Sequence, residues 1–151
     1  MESPERSLAT MLRMAAGRLA VAEAAALRAQ GVTAAEAVLL RELHAAGAVA
    51  PSVLADRLGM TRGAVTKLVD RLKAKQYLVR AKGRGDGRMQ TIALTGAGAK
   101  LVPELDAVAA DVERAVFARL DAAGRTGLVK GLRKVAGDWP ACPSGSNGSG
   151  R

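Results

Sequence analysis

"VLADRLGMTRGAVTKLVDRLKAKQYLVRAKGRGDGRMQTIALTGAG", residues 53–98, holds the pattern on which the fold turns. Leu54 and Leu58 stand one helical turn apart and mark the inner face of a short helix, which Pro51 can open and Gly59 can stop. Thr61 is a natural cap for the next helix. The spacing of Ala64, Val65, Leu68 and Leu72 carries that helix from Arg62 to about Lys75 with these four residues facing inward. Two short helices joined by three or four residues around a glycine form a helix-turn-helix. Tyr77-Leu78-Val79-Arg80 then starts a strand, and Met89, Thr91 and Ala93 alternate with Gln90, Ile92 and Leu94 in a second. The glycine-laced segment between them reads as the turn of a hairpin.

Working upstream, residues 5–29 lack proline and are dense in Ala, Leu and Met, which predicts a long helix ending before Gly31. Its charges Arg13, Arg18, Glu23 and Arg28 recur every five residues, about 140° apart around the axis, leaving no broad polar face for water. Such a helix is expected to be covered on several sides. Thr33-Ala34-Ala35-Glu36 is a capping box for a second helix to about Ala46, closed by Gly47, and Ala48-Val49-Ala50 can form a minimal strand.

Downstream, Thr95 can cap a long fifth helix with Leu101, Leu105, Val108, Val112 and Val116 in one stripe, kinked near Ala99 by Pro103. Asp121 can cap a sixth, which carries Leu128, Leu132 and Val135 but is weakened by Gly124, Gly127 and Gly131. From Pro140 onward Pro, Ser and Gly dominate, predicting a disordered tail over 140–151. The fold class is therefore mainly α with a small β-hairpin wing. One domain is expected, with residues 33–96 as a winged helix-turn-helix and 5–30 and 97–137 as a helical dimerisation region. The terminal helices would expose apolar stripes if left alone, and a second copy is the expected cover.

Charge placement points to a partner. Between residues 57 and 90 there are ten Lys or Arg against Asp70 and Asp86, so this stretch holds nearly all of the whole chain's net charge of +9 and the remainder is nearly neutral. A basic field this concentrated attracts a polyanion, nucleic acid or an anionic membrane. The exposed residues of the fourth helix, Thr61, Arg62, Gly63, Thr66 and Lys67, suit base edges and phosphates in a DNA major groove, with Gly63 permitting close approach and Arg71 and Lys73 reaching phosphates. Aromatic residues make up only 2%, so the core must be Ala, Leu and Val. One cysteine, Cys142, excludes an internal disulfide, and no stretch is apolar for 18 residues, so a soluble cytoplasmic protein is expected. With one histidine, His44, and neither metal-ligand spacing, phosphate-cradling glycine motif nor Ser/His/Asp arrangement, no enzyme, cofactor or metal site is indicated.

The stretch resembles the winged helix-turn-helix of the multiple antibiotic resistance regulator (MarR) family of bacterial transcription factors. The resemblance is carried by Leu-Ala-x-x-Leu at 54–58, Val-x-x-Leu-Val-Asp-Arg-Leu at 65–72, and Asp86-x-Arg88 followed by Leu94-Thr95. It implies a homodimer binding double-stranded DNA at a pseudo-palindromic operator, a repressor's role, and a wing whose Asp86 orients Arg88 into the minor groove. There a guanidinium is drawn by the concentrated negative potential. Lys82 and Arg84 would add charge to the wing. The family also suggests a small aromatic-acid effector between the dimer helices and the winged domain, for which Met11, Met14, Arg18 and His44 are the candidate lining residues.

Two departures stand out. Gly83-Arg84 replaces the family's more rigid pair at the tip, which should make it looser and more basic, and Gln76 stands where a glycine usually ends the recognition helix. A left-handed Gln76 would cost about 1 to 2 kcal/mol. A nonspecific DNA-compacting protein and a protein-interaction module are the competing readings.

Overall fold

The computed structural model describes residues 7–82 and 90–136. The hairpin tip with Arg84, Asp86 and Arg88, the Lys82 side chain, and the tail with Cys142 lie outside the described residues. Six helices and one hairpin follow in the order α1 Leu8–Ala29, α2 Ala34–Ala46, α3 Pro51–Leu58, α4 Arg62–Ala74, β1 Leu78–Lys82, β2 Gln90–Leu94, α5 Gly96–Val116 and α6 Ala122–Ala136.

Local side-chain chemistry sets most of these boundaries. The Ser7 hydroxyl accepts from Thr10 N–H at the start of α1. Both halves of the capping box open α2: Glu36 N–H donates to Thr33 Oγ1 at 3.2 Å, and Thr33 N–H donates to Glu36 Oε2 at 2.9 Å. Pro51 occupies the first turn of α3, Gly59 takes a left-handed φ of 60° after it, and Thr61 Oγ1 accepts from Ala64 N–H at 3.2 Å to start α4. Asp121 caps α6 through Gly124 N–H at 2.7 Å. α5 continues as one helix through Pro103.

β1 and β2 pair antiparallel, with Leu78 opposite Leu94 and Lys82 opposite Gln90. Val49 exchanges two backbone hydrogen bonds with Ile92, at 3.0 and 2.8 Å, so the short strand expected at 48–50 is a single bridge extending the wing. These pairings pin the hairpin to the loop before the helix-turn-helix.

The core is aliphatic. Leu39, Leu40 and Leu43 of α2, Leu54 of α3, Val65, Val69 and Leu72 of α4, Ile92 of β2 and Leu105 of α5 form one buried cluster. Each such side chain contributes about 1.5 to 3 kcal/mol by leaving water. α2 is its hub, packing on α3, α4, α5 and β2, and ion pairs brace it at the rim, Arg41 to Asp106 at 2.6 Å and Arg57 to Glu42 at 3.0 Å.

Two expectations need correction. Ala64 faces solvent, and Val69 takes the inward place assigned to it: with 100° per residue the buried row centres on Val65, Leu68, Val69 and Leu72, and Ala64 falls at its side. The first helix is not covered on several sides within one chain. α1 lies along α5, but only Leu27 near its end is buried, while Leu8 and Val21 are 82% and 69% exposed. α6 has no buried residue and scarcely touches the other elements among the described residues.

Candidate nucleic-acid interface

α4 has one buried row and one exposed face. Val65, Leu68, Val69 and Leu72 anchor it to the core, and Thr61, Arg62, Gly63, Thr66, Lys67, Arg71 and Lys73 are all exposed, together with Asp70. On the helical wheel Gly63, Lys67 and Asp70 run down the middle of that face. Arg62, Thr66 and Lys73 form one edge and Arg71 the other, so Arg71 and Lys73 stand about 160° apart around the axis. That separation suits contacts to the two phosphate walls of a groove rather than to one strand. Of the donors on this face, the Thr66 hydroxyl is already engaged. It donates to the Arg62 carbonyl at 2.9 Å, which uses its hydrogen and leaves the oxygen able only to accept.

The exit from α4 fixes where the hairpin starts. Gln76 N–H donates to Lys73 O and Tyr77 N–H to Leu72 O, both at 2.9 Å, which is the Schellman pattern. It requires a left-handed residue at position 76, and Gln76 adopts φ 64°, alone among the described residues that are not glycine. The strain anticipated from the sequence is therefore present. Thr95 then locks the junction. Its N–H donates to Tyr77 O at 3.0 Å, its hydroxyl donates to Gln76 O at 2.7 Å, and the same oxygen accepts from Gly98 N–H at 3.1 Å as the cap of α5. A Cβ at Gly98 would lie 2.2 Å from Tyr77 O, so only glycine fits there.

Arg80 joins helix to wing, a role that spacing alone did not single out. Its guanidinium reaches Asp70 Oδ1 on α4 and Gln90 Oε1 on β2, each at 3.4 Å. A second missed link lies behind the helix. Lys75, at the C-terminal cap of α4, donates through Nζ to Glu36 Oε2 at 2.7 Å and to Gly31 O at 2.8 Å. Glu36 is 1% exposed. Burial pushes its carboxyl upward, but the hydrogen bonds from Lys75 and Thr33 N–H and the charges of Lys75 and Arg71 outweigh this and hold it below the ordinary value of 4.5.

With this arrangement in view, the likeness to known proteins is informative. The profile of the MarR family matches residues 30–89, which contain the capping box, the helix-turn-helix and the first strand of the hairpin. Over this segment the chain is similar to the MarR family. Its architecture is that of the family's winged helix-turn-helix transcription regulators. Apo MarR from Escherichia coli superposes with a TM-score of 0.77 at 24% identity, over 88% of this chain and 98% of that one. A cysteine-to-serine variant of the same E. coli protein, complexed with operator DNA, gives 0.68 at 25% identity over 85% and 92%. BpsR from Bordetella bronchiseptica, whose DNA binding is regulated by 6-hydroxynicotinic acid, gives 0.68 at 26% identity over 90% and 97%. A search of curated proteins finds no match.

The four residues considered for an effector are only partly brought together. Met14 and Arg18 line an open apolar trough on α1 with Gly17, Val21, Ala22 and Ala25, whereas Met11 and His44 are not part of its wall. His44 is exposed in the last turn of α2. Among the described residues no group of three His, Cys, Asp or Glu side chains could hold a metal ion, and no helix is long and apolar enough to cross a membrane.

Proposed function

We propose that this protein is a homodimeric, sequence-specific regulator of transcription, a repressor that grips a pseudo-palindromic operator and is released by a small aromatic-acid-like effector. The observation that carries the reading is the exposed face of α4. Arg62, Gly63, Thr66 and Lys67 occupy its N-terminal half, the part of a recognition helix that meets base edges, on a helix anchored by an opposite apolar row. Arg71 and Lys73 take phosphates on either side. Lys82, Arg84 and Arg88 bring the wing to the adjacent minor groove, with Asp86 holding Arg88 in a fixed fork.

The uncovered apolar faces of α1 and α6 support the dimer. Leu8, Val21 and Val135 are too exposed for a lone chain, and a twofold partner would bury them while setting two recognition helices about 34 Å apart. Residues 5–30 and 97–137 are the dimerisation region in this reading. The operator-bound E. coli relative and the ligand-regulated Bordetella relative support DNA and an aromatic acid as partners. Met14 and Arg18, in a trough beside the dimer faces, would meet the apolar ring and the carboxylate of such an acid.

The concentration of basic residues between 57 and 90 also favours a nonspecific DNA-compacting protein. Selection of bound genomic fragments by the purified protein, followed by titration of a selected site against random DNA, separates the two. Preference of a thousandfold or more is expected for a regulator. Equal affinities would refute the sequence-specific reading.

A further inference from the structure

Lys75 lies at the foot of the recognition helix, turned away from the hairpin and into the α1–α2 junction. Its ammonium group bridges the Gly31 carbonyl, in the turn that ends α1, and the Glu36 carboxylate, inside the first turn of α2. Glu36 is the one buried charged side chain among the described residues, and its Oε2 also closes the capping box on Thr33 N–H. An unpaired carboxylate there would be costly, so the ammonium is held in place by the need to compensate it. One short strut thus ties the C-terminal end of α4 to the point where α1 meets the winged domain.

Geometry makes this a lever. The exposed face of the N-terminal half of α4 is open to a groove, while the buried row anchors the helix along its length and the Lys75 strut, beside the Gln76–Thr95 junction and the Arg80–Asp70 link, ties its C-terminal end. A pivot of the helix about the row displaces the Lys75 end as it displaces the Arg62 end, and stretching bonds of 2.7 and 2.8 Å resists it. We infer that Lys75 is a positioning residue for DNA recognition: through Glu36 and Gly31 it fixes the pitch of the recognition helix relative to α1, without touching DNA itself. This rests on the reading of α4 as the recognition helix and of α1 as part of the dimer frame. A loosened strut costs specific binding, which needs both recognition helices in register, and spares nonspecific binding, which needs only charge.

The test is a set of titrations with wild type, Lys75→Met, Lys75→Arg, Glu36→Gln and the Lys75→Met/Glu36→Gln double variant, on a selected site and on random DNA, at several salt concentrations. Glu36→Gln keeps an oxygen for the cap on Thr33 N–H and removes the charge. Circular dichroism melts set a temperature at which every variant used is folded, and Glu36→Gln carries the test should Lys75→Met not fold. Lys75→Met and Glu36→Gln are each expected to weaken the selected site about 5- to 30-fold. Random-DNA affinity and the salt slope should be unchanged, the double variant should be no worse than the single ones, and Lys75→Arg should recover most of the loss.

A slope reduced by about 1.8 in Lys75→Met, about 0.9 for each protomer, with equal loss on both DNAs would make Lys75 a phosphate contact and overturn the inference. So would an unchanged preference for the selected site, or multiplicative losses in the double variant. A wild-type protein that prefers no sequence would instead remove the functional reading itself, and this inference with it.

Discussion

Replacing Gln76 with glycine should stabilise the protein, and the structure allows the size of the effect to be worked out. Gln76 sits at φ 64° as the left-handed residue of the Schellman turn that ends α4. A side chain in that region costs about 1 to 2 kcal/mol because Cβ crowds the carbonyl oxygen. Glycine removes the crowding but has more backbone freedom to lose on folding, roughly 0.5 to 1 kcal/mol. The midpoints of the two ranges leave a net gain of about 0.75 kcal/mol. All three hydrogen bonds at the turn use the backbone of residue 76: its N–H to Lys73 O, its carbonyl from the Thr95 hydroxyl, and the peptide that follows it to Leu72 O. Glycine keeps each of them. Thermal denaturation followed by circular dichroism, at one protein concentration, should show a midpoint raised by about 1 to 4 °C. Gln76→Ala, which keeps Cβ, should show no gain, and Gln76→Asn should fall between. A glycine variant no more stable than wild type, or an alanine variant equally stabilised, would refute the assignment of strain to this position.

Three further perturbations follow from the same geometry. Gly98→Ala places a Cβ 2.2 Å from the Tyr77 carbonyl and should destabilise the fold by about 1 to 3 kcal/mol in the same denaturation assay, since the obstacle is backbone. Glu36 titrates below its ordinary 4.5 in the folded state, so its contribution is complete above the unfolded value and is lost as pH falls through the folded one. Stability measured between pH 6 and 3 should therefore drop less steeply in Glu36→Gln than in wild type, and parallel curves would contradict the pairing with Lys75. Arg88→Ala should weaken binding to a selected operator by about 1 to 3 kcal/mol in a gel shift and leave the melting curve unchanged, whereas an unmoved midpoint would remove the wing's arginine from the interface.

The helix boundaries were legible because the chemistry that sets them is local. A threonine hydroxyl caps an amide three residues on, as at Thr33, Thr61 and Thr95, and a glycine stops the helix where the backbone must turn left-handed. The exposed row of α4 was equally readable, since it is the complement of an apolar repeat. The awkward position of Gln76 was anticipated through the family resemblance, which implies a glycine there.

What depended on tertiary structure joins residues remote in the chain. Lys75 and Glu36 are 39 residues apart, and alone Lys75 reads as an ordinary surface charge and Glu36 as a helix cap. Only the packing of α4 on α2 converts them into a buried strut. Arg80 gained its link to Asp70 and Gln90 when the hairpin folded back beside the helix, and Gly98 became irreplaceable when Tyr77 O was set against it. Ala64 was turned outward by its neighbours, since a small side chain carries too little apolar area to decide the rotation of a helix whose valines and leucines bury more. Short-range hydrogen bonding is thus written along the chain, while the pairing of distant charges and the fit of backbone against backbone arise only once the aliphatic core has drawn the elements together.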